Sequence, residues 1–264
     1  FALSATIVCV SHSLPLPLLA TKLFLPHPRP SLIVRERLTR VLDAARTQPL
    51  TLISAPAGFG KTTLAAAWAR QQTIPVAWLA LDAADNDPHR FLHYMIAALH
   101  TQQPELGREL RAAIEAGHAP PIEAAIITLV NELAGLAGEL LLVLDDFHLI
   151  DEPRIEVALQ TLVEHQPPQF HLLIATREDP PLPLARLRAR GQLVELRAQE
   201  MRFTPEETAA FLSQVMGLHL SPQQVAALDA RIEGWVAGLQ LAGLSLQKGD
   251  DPAALLAVLA GSHY

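Results

Sequence analysis

Cysteine is almost absent from this 264-residue chain: Cys9 alone can form no intramolecular disulfide and no cysteine-based zinc site. That usage fits a reducing cytosol. Charge is sparse too, at 18% of residues, and 20 basic against 27 acidic side chains leave a net charge of −7. Such a balance offers no favourable field to a nucleic-acid backbone. Glycine, with 13 residues, is outnumbered by 21 prolines, which excludes a collagen-like repeat and favours helices that open on proline. The segment from Phe1 to Thr21 contains no Asp, Glu, Lys or Arg, yet it lacks what a signal peptide or a membrane span needs. No basic stretch precedes the apolar run, and Ser11, His12, Ser13, Pro15 and Pro17 interrupt it. Residues 1–19 are therefore expected to be a leader outside the core. The chain is expected to be cytoplasmic, with no membrane partner.

What is abundant is apolar surface. Hydrophobic residues make up 50% of the chain, enough for a large core and incompatible with an acidic disordered chain. From Leu50 onward, apolar runs alternate with longer amphipathic segments. Leu50 to Ser54, Val76 to Leu81, Leu140 to Leu144, His171 to Thr176 and Leu193 to Leu196 read as strands, and the stretches after Gly60, Pro88, Pro121 and Pro153 as helices. That alternation implies an α/β fold with a parallel sheet covered by helices on both faces. After Leu196 the strand signal ends. Thr204-Pro205-Glu206-Glu207 and Ser221-Pro222-Gln223-Gln224 are capping boxes with proline at the first helical position. Gly234 to Gln247 reads as an apolar helix, and Asp251-Pro252 opens another. An all-helical unit is expected from about Met201.

The string Thr51-Leu52-Ile53-Ser54-Ala55-Pro56-Ala57-Gly58-Phe59-Gly60-Lys61-Thr62-Thr63 carries the chemistry. An apolar strand runs into a small-residue loop that opens a helix, the context that a phosphate-binding P-loop requires. Gly58 and Gly60 let the backbone approach phosphate, and amides at the helix start point at it. Lys61 is placed for the β- and γ-phosphates, the Thr62 hydroxyl for Mg2+, and Thr63 for the α-phosphate side. The usual pattern opens on glycine where this chain has Ala55, a replacement tolerated if the local φ is negative. The competing reading is an ordinary strand-to-helix turn that contains Gly-Lys-Thr.

A second motif, Leu140-Leu141-Leu142-Val143-Leu144-Asp145-Asp146-Phe147-His148, ends a strand on two carboxylates, at the sheet edge where ligands bind. Asp145 is the candidate Mg2+ ligand, and Asp146 the group that polarises an attacking water. The alternative is that the pair caps the next helix. Arg177, just past another strand, is a candidate γ-phosphate sensor or else a plain surface arginine. His89 and His93 stand four apart on an expected helix, but with no third ligand they read as a solvated helix face. Trp235, between Gly234 and Gly238, is either core or a group that changes surroundings when two units close.

Taken together, these residues resemble the N-terminal ATPase domain of the large LuxR-type transcription regulators related to the maltose regulator. That group belongs to the STAND class of signal-transducing ATPases. The resemblance runs from Ala20 to the end and is carried by several spaced motifs in one order. They are Thr21-Lys22-Leu23, Val34-Arg35-Glu36-Arg37-Leu38, Trp78-Leu79-Ala80-Leu81-Asp82, Asp85-Asn86-Asp87-Pro88, Arg90-Phe91, the loop, the Asp145-Asp146 motif and Glu233-Gly234-Trp235-Val236-Ala237-Gly238-Leu239-Gln240. It implies that Ile33, Val34 and Arg35 lie against adenine and that the helical segment closes over the nucleotide. It further implies an ATP-bound state that self-associates and an ADP-bound state that is silent. DNA binding would belong to a helix-turn-helix domain beyond Tyr264. Where NB-ARC relatives have the proline of a glycine-leucine-proline element, this chain has Gln240.

The expectation is thus a P-loop NTPase unit over residues 20–200 followed by the start of a helical lid over 201–264. It binds ATP or ADP with Mg2+ and hydrolyses ATP slowly as a regulatory switch. Three alternatives remain open at this stage: a P-loop kinase, a remodelling ATPase and a non-hydrolysing adaptor.

Overall fold

The computed structural model describes residues 18–27 and 32–248, so most of the expected leader and the expected helix at Pro252 lie outside the described residues. Five strands form one sheet: β1 (Leu50–Ser54), β2 (Val76–Ala80), β3 (Leu140–Asp145), β4 (Phe170–Thr176) and β5 (Leu193–Arg197). Their order is β2-β3-β4-β1-β5 and every pairing is parallel. Each strand lies within a residue or so of its sequence expectation. The apolar composition of these runs explains why they pair at the centre: β1, β3 and β4 are buried along their whole length, whereas the edge strands β2 and β5 are only part-buried.

Alternation along a strand sends neighbouring side chains to opposite faces. On β3, Leu140, Leu142 and Leu144 enter one core cluster, while Leu141 and Val143 enter the other. Helices α1 (Glu36–Asp43) and α2 (Lys61–Ala69) cover the second face, where Leu38, Leu42 and Trp68 meet Ile53, Leu173 and Ala175. Helices α3 (Pro88–His100), α4 (Arg108–Glu115), α5 (Ile122–Ala134), α6 (Pro153–His165) and α7 (Leu184–Ala189) cover the first. Two of these begin on proline as the composition suggests: ahead of Pro88 the Asp87 side chain accepts from the Arg90 N–H, and ahead of Pro153 that of Glu152 accepts from the Arg154 N–H. The reading of His89 and His93 as one solvated face needs correction. His89 is exposed but His93 is buried in α3, because at that position the helix turns toward the core cluster. Among the described residues no group of three or more His, Cys, Asp or Glu could hold a metal ion.

Beyond β5 the chain is helical: α8 (Ala198–Met201), α9 (Pro205–Ala210), α10 (Pro222–Ile232) and α11 (Val236–Gln247). Both capping boxes form. Thr204 and Glu207 exchange bonds at 3.2 and 3.1 Å, and Ser221 and Gln224 at 3.3 and 2.8 Å. A third hydrophobic cluster around Phe203, Leu212, Leu228 and Leu239 holds these helices together, and Ile33 packs against it. After α9 the chain widens into one π-helical turn, Phe211–Val215, a geometry that is rare and concentrated at functional sites.

Candidate nucleotide-binding site

The strand order explains where the motifs meet. β1 has β4 on one side and β5 on the other, and the chain leaves β1 through α2 on one face toward β2 but leaves β4 through α7 on the other face toward β5, so the connections after these two neighbouring strands diverge. The carboxyl end of such a strand is the crevice where α/β sheets take ligands. β4 separates β1 from β3, so the loop after β1 stands about 10 Å, two strand spacings, from the acids at the end of β3. Thr62, in the first turn of α2, spans that gap: its hydroxyl donates to Asp145 Oδ1 at 3.0 Å. Arg177 follows β4 between them.

Ala55 keeps a negative φ, since Asp146 and Glu233 are the non-glycine residues with positive φ among those described. Its methyl is buried in the core, so the missing glycine costs the loop nothing. Gly58 and Gly60 take φ values of 81° and 80°, in the left-handed region that glycine enters without strain. A Cβ on Gly60 would meet nothing within 4 Å, so its backbone conformation alone requires glycine. Lys61 is buried at the loop's centre and donates to the carbonyls of Ala55 (2.7 Å) and Pro56 (3.1 Å). Burial lowers its pKa, with the charge of Arg177 adding to the effect and those of Asp146 and Asp145 opposing it.

Asp145 is 2% exposed and accepts from Thr62 and from the Asp146 backbone N–H at 3.0 Å. Burial, reinforced by the charge of Asp146, pushes its pKa up to about 6. A carboxylate so placed favours a cation beside it, and the Thr62 hydroxyl supplies a second oxygen at the same point. The residues therefore fit a hard divalent cation. Asp146 has φ 57°, a left-handed conformation that aspartate tolerates better than most residues. The side chains of the two acids consequently diverge, and Asp146 makes no helix-capping bond. Arg177 is exposed, and among the described residues it has no hydrogen-bond or ion-pair partner.

His148, singled out in the sequence only as part of its motif, belongs to the same cluster. Its Nδ1 lies 3.9 Å from Asp146 Oδ1 and is buried without a hydrogen-bond partner. Burial first, then the charge of Arg177, hold its pKa below the usual histidine value, so the ring is neutral near pH 7. A histidine two residues past an acid is a weak sequence signal, and only the turn at Asp146 folds it back.

Beside the loop lies a cleft of about 610 Å3, lined by Phe59, Gly60 and Thr63 on one side and by Phe203, Phe211, Val215, Met216, Val236 and Gln240 on the other. Leu32, Ile33, Val34 and Arg35 close one wall. Its lining is predominantly apolar, the environment of a flat heteroaromatic ring. The three expected adenine contacts behave differently. Ile33 is part-buried against the helical cluster, while Val34 is 73% exposed. The Arg35 side chain is engaged elsewhere: Nη2 donates to Met201 O (2.7 Å) and Arg202 O (2.8 Å), Nε pairs with Glu207 Oε2 at 3.3 Å, and the guanidinium lies 4.8 Å from the Phe203 ring centroid. Burial lowers its pKa to about 10. Arg35 thus ties the wall of the cleft to the helices opposite. Sequence reading also missed Phe203, between α8 and α9, and Phe211, Val215 and Met216, in or next to the π-helical turn, whose apolar pattern is indistinguishable from core.

The comparisons with known proteins agree with this geometry. Residues 34–175 match the model of the AAA ATPase domain. The chain is 35% identical over 236 residues to the HTH-type transcriptional regulator MalT of Yersinia enterocolitica, covering 89% of this chain and 26% of that protein. It is 34% identical over 246 residues to the serine/threonine-protein kinase PknK of Mycobacterium tuberculosis, covering 92% and 22% respectively. The chain thus spans about a quarter of the length of these relatives. In fold it resembles a STAND protein with a tetratricopeptide repeat sensor from Pyrococcus horikoshii, with TM-score 0.63 and 17% identity over 88% of this chain and 33% of that one. A Walker-type ATPase of Pyrococcus abyssi superposes with TM-score 0.60 and 14% identity over 88% and 72%. The parallel sheet, the loop and these matches describe a P-loop ATPase fold. The matched model spans more than half of the sequence, and the chain belongs to the AAA ATPase domain family.

Proposed function

We propose that this chain is the ATP-binding, slowly hydrolysing switch module of a larger signalling protein. Its phosphate end comprises Ala57, Gly58, Phe59, Gly60, Lys61, Thr62 and Thr63, and its base end the cleft beside Ile33, Val34 and Arg35. Residues 20–200 form the nucleotide-binding unit and 201–264 the beginning of a lid. The observation that carries this reading is the junction of Thr62 with the buried Asp145 at 3.0 Å, one strand away from Arg177 and next in the chain to Lys61.

Lys61 leaves its bonds to Ala55 O and Pro56 O when phosphate oxygens offer a stronger, charge-assisted acceptor. Thr62 and Asp145 would hold Mg2+, which would neutralise phosphate charge. Asp146 orients and polarises the attacking water, with His148 beside it. Arg177, exposed and unpaired among the described residues, reaches toward the charge that develops on the γ-phosphate. A sheet-edge cluster with two acids and one arginine suits slow turnover by positioning and electrostatics.

The MalT and PknK similarities cover the same module in proteins whose names state different outputs, transcriptional regulation in one and a kinase in the other. That pattern supports a switch that governs attached domains over a metabolic phosphotransferase or a ring motor. By likeness to MalT, the ATP form self-associates and DNA is bound through a C-terminal domain outside this chain. The test is titration of a fluorescent ATP analogue into the chain and into Lys61→Ala, followed by phosphate release without any acceptor. Loss of one charged contact should weaken binding about 10- to 100-fold. Equal affinity in the two proteins overturns the site.

A further inference from the structure

Trp235 is not core. Glu233 and Gly234, with φ of 52° and 69°, turn the chain sharply from α10 into α11 and leave the Trp235 indole 39% exposed at the start of α11. Its Nε1 donates to the carbonyl of Ala57 in the P-loop at 3.0 Å. The backbone N–H of Ala237, one of the first-turn donors that α11 cannot satisfy itself, donates to Gly58 O at 3.0 Å. Two glycines permit this approach. A Cβ on Gly58 would stand 2.6 Å from both Ala237 Cβ and Trp235 Nε1, and one on Gly238 would stand 2.6 Å from Trp235 Cε3. Gly58 is therefore required twice, by its φ and by the helix that presses on it.

A trans peptide plane points its C=O and N–H in opposite directions. A donor that fixes the Ala57 carbonyl therefore also fixes the Gly58 N–H, and one that fixes the Gly58 carbonyl fixes the Phe59 N–H. Both carbonyls are drawn outward to α11, so both amides face the inside of the loop that wraps the start of α2. Gly58 would otherwise let these two planes rotate with little resistance. We propose that Trp235 is a positioning residue for phosphate binding: with the Ala237 amide, it orients the Gly58 and Phe59 N–H groups toward the nucleotide's phosphates. The helical unit is then a structural part of the phosphate cradle as well as a lid over the base. Linkage makes the effect reciprocal, so occupied phosphate sites strengthen the grip of α11 on the loop. This inference rests on the reading of the loop as a nucleotide site.

The experiment compares ADP with adenosine, each competing against a fluorescent ADP analogue, in the whole chain and in Trp235→Phe. Phenylalanine retains an aromatic ring and removes the N–H. The expected result is ADP binding weakened about five-fold, as for one neutral hydrogen bond, with adenosine binding unchanged. Should Trp235→Phe melt below the assay temperature, 3-benzothienylalanine incorporated at position 235 keeps the bicyclic shape without the N–H and gives the same ratio. An unchanged ratio of ADP to adenosine affinity, whether both weaken or neither does, overturns the proposal. Lys61→Ala separates the two levels. If it lowers ADP affinity while the Trp235 variants leave the ratio alone, only the positioning role fails; if it has no effect, the nucleotide site itself fails.

Discussion

The two ends of the candidate site are built by opposite means. The phosphate end comes from short contiguous motifs at the carboxyl ends of β1, β3 and β4, and each of its groups is polar and buried or poised beside a buried charge. The base end comes from segments more than 150 residues apart, Leu32 to Arg35 against Phe203 to Gln240, and is largely apolar. Sheet geometry fixes the first; packing of a separate helical cluster fixes the second. The difference teaches that chemistry and selectivity reside on different scaffolds here, joined where Arg35 ties the cleft wall to the helices and Trp235 ties α11 to the loop.

That contrast can be tested by damaging one end at a time. The largest effect is expected at Asp146. Asp146→Asn should bind ATP as the parent does yet slow phosphate release about 100-fold or more, as expected of a lost general base. Asp145→Asn should instead weaken the Mg2+ dependence of binding, because the buried carboxylate beside Thr62 is the group that favours a cation. Binding and turnover measured separately decide this, and identical phenotypes would contradict the division of roles. A smaller effect, on stability, is expected at the base end. Arg35→Leu removes two hydrogen bonds to backbone carbonyls and an ion pair with Glu207, but Glu207 keeps Arg37 at 3.1 Å. Urea unfolding should show a loss of about 2–3 kcal/mol. Turnover per bound ATP should not change, and if it falls in step with stability, the two ends are not separable in the way described.

Much of the phosphate end was legible in the sequence because its geometry is local. A strand, a small-residue loop and a helix put Lys61 and Thr62 where they are found, and an apolar run ending in Asp145-Asp146 had to finish at the same sheet edge. The capping boxes at Thr204 and Ser221 were legible for the same reason, since four adjacent residues contain the whole device. The base end was not. Nothing in the pattern of Phe211, Val215 and Met216 distinguishes a cleft wall from core, and the π-helical turn in or next to which they lie has no sequence signature. The resemblance sets Arg35 beside adenine, and Arg35 does line the cleft, but the partners of its guanidinium, Met201, Arg202 and Glu207, lie far along the chain and only the tertiary structure supplies them. Trp235 allowed two readings, and the conformations of Glu233 and Gly234, which local composition does not determine, place it on the loop.

The central claim is that one nucleotide lies across both ends, with its base in the cleft between the two clusters. Photolabelling with 8-azido-ATP, followed by peptide mapping, tests it most directly. The account predicts label on peptides containing residues 32–35, 203–216 or 236–240, removed by excess ATP and greatly reduced in Lys61→Ala. Label on other peptides, or label undiminished in Lys61→Ala, would contradict it.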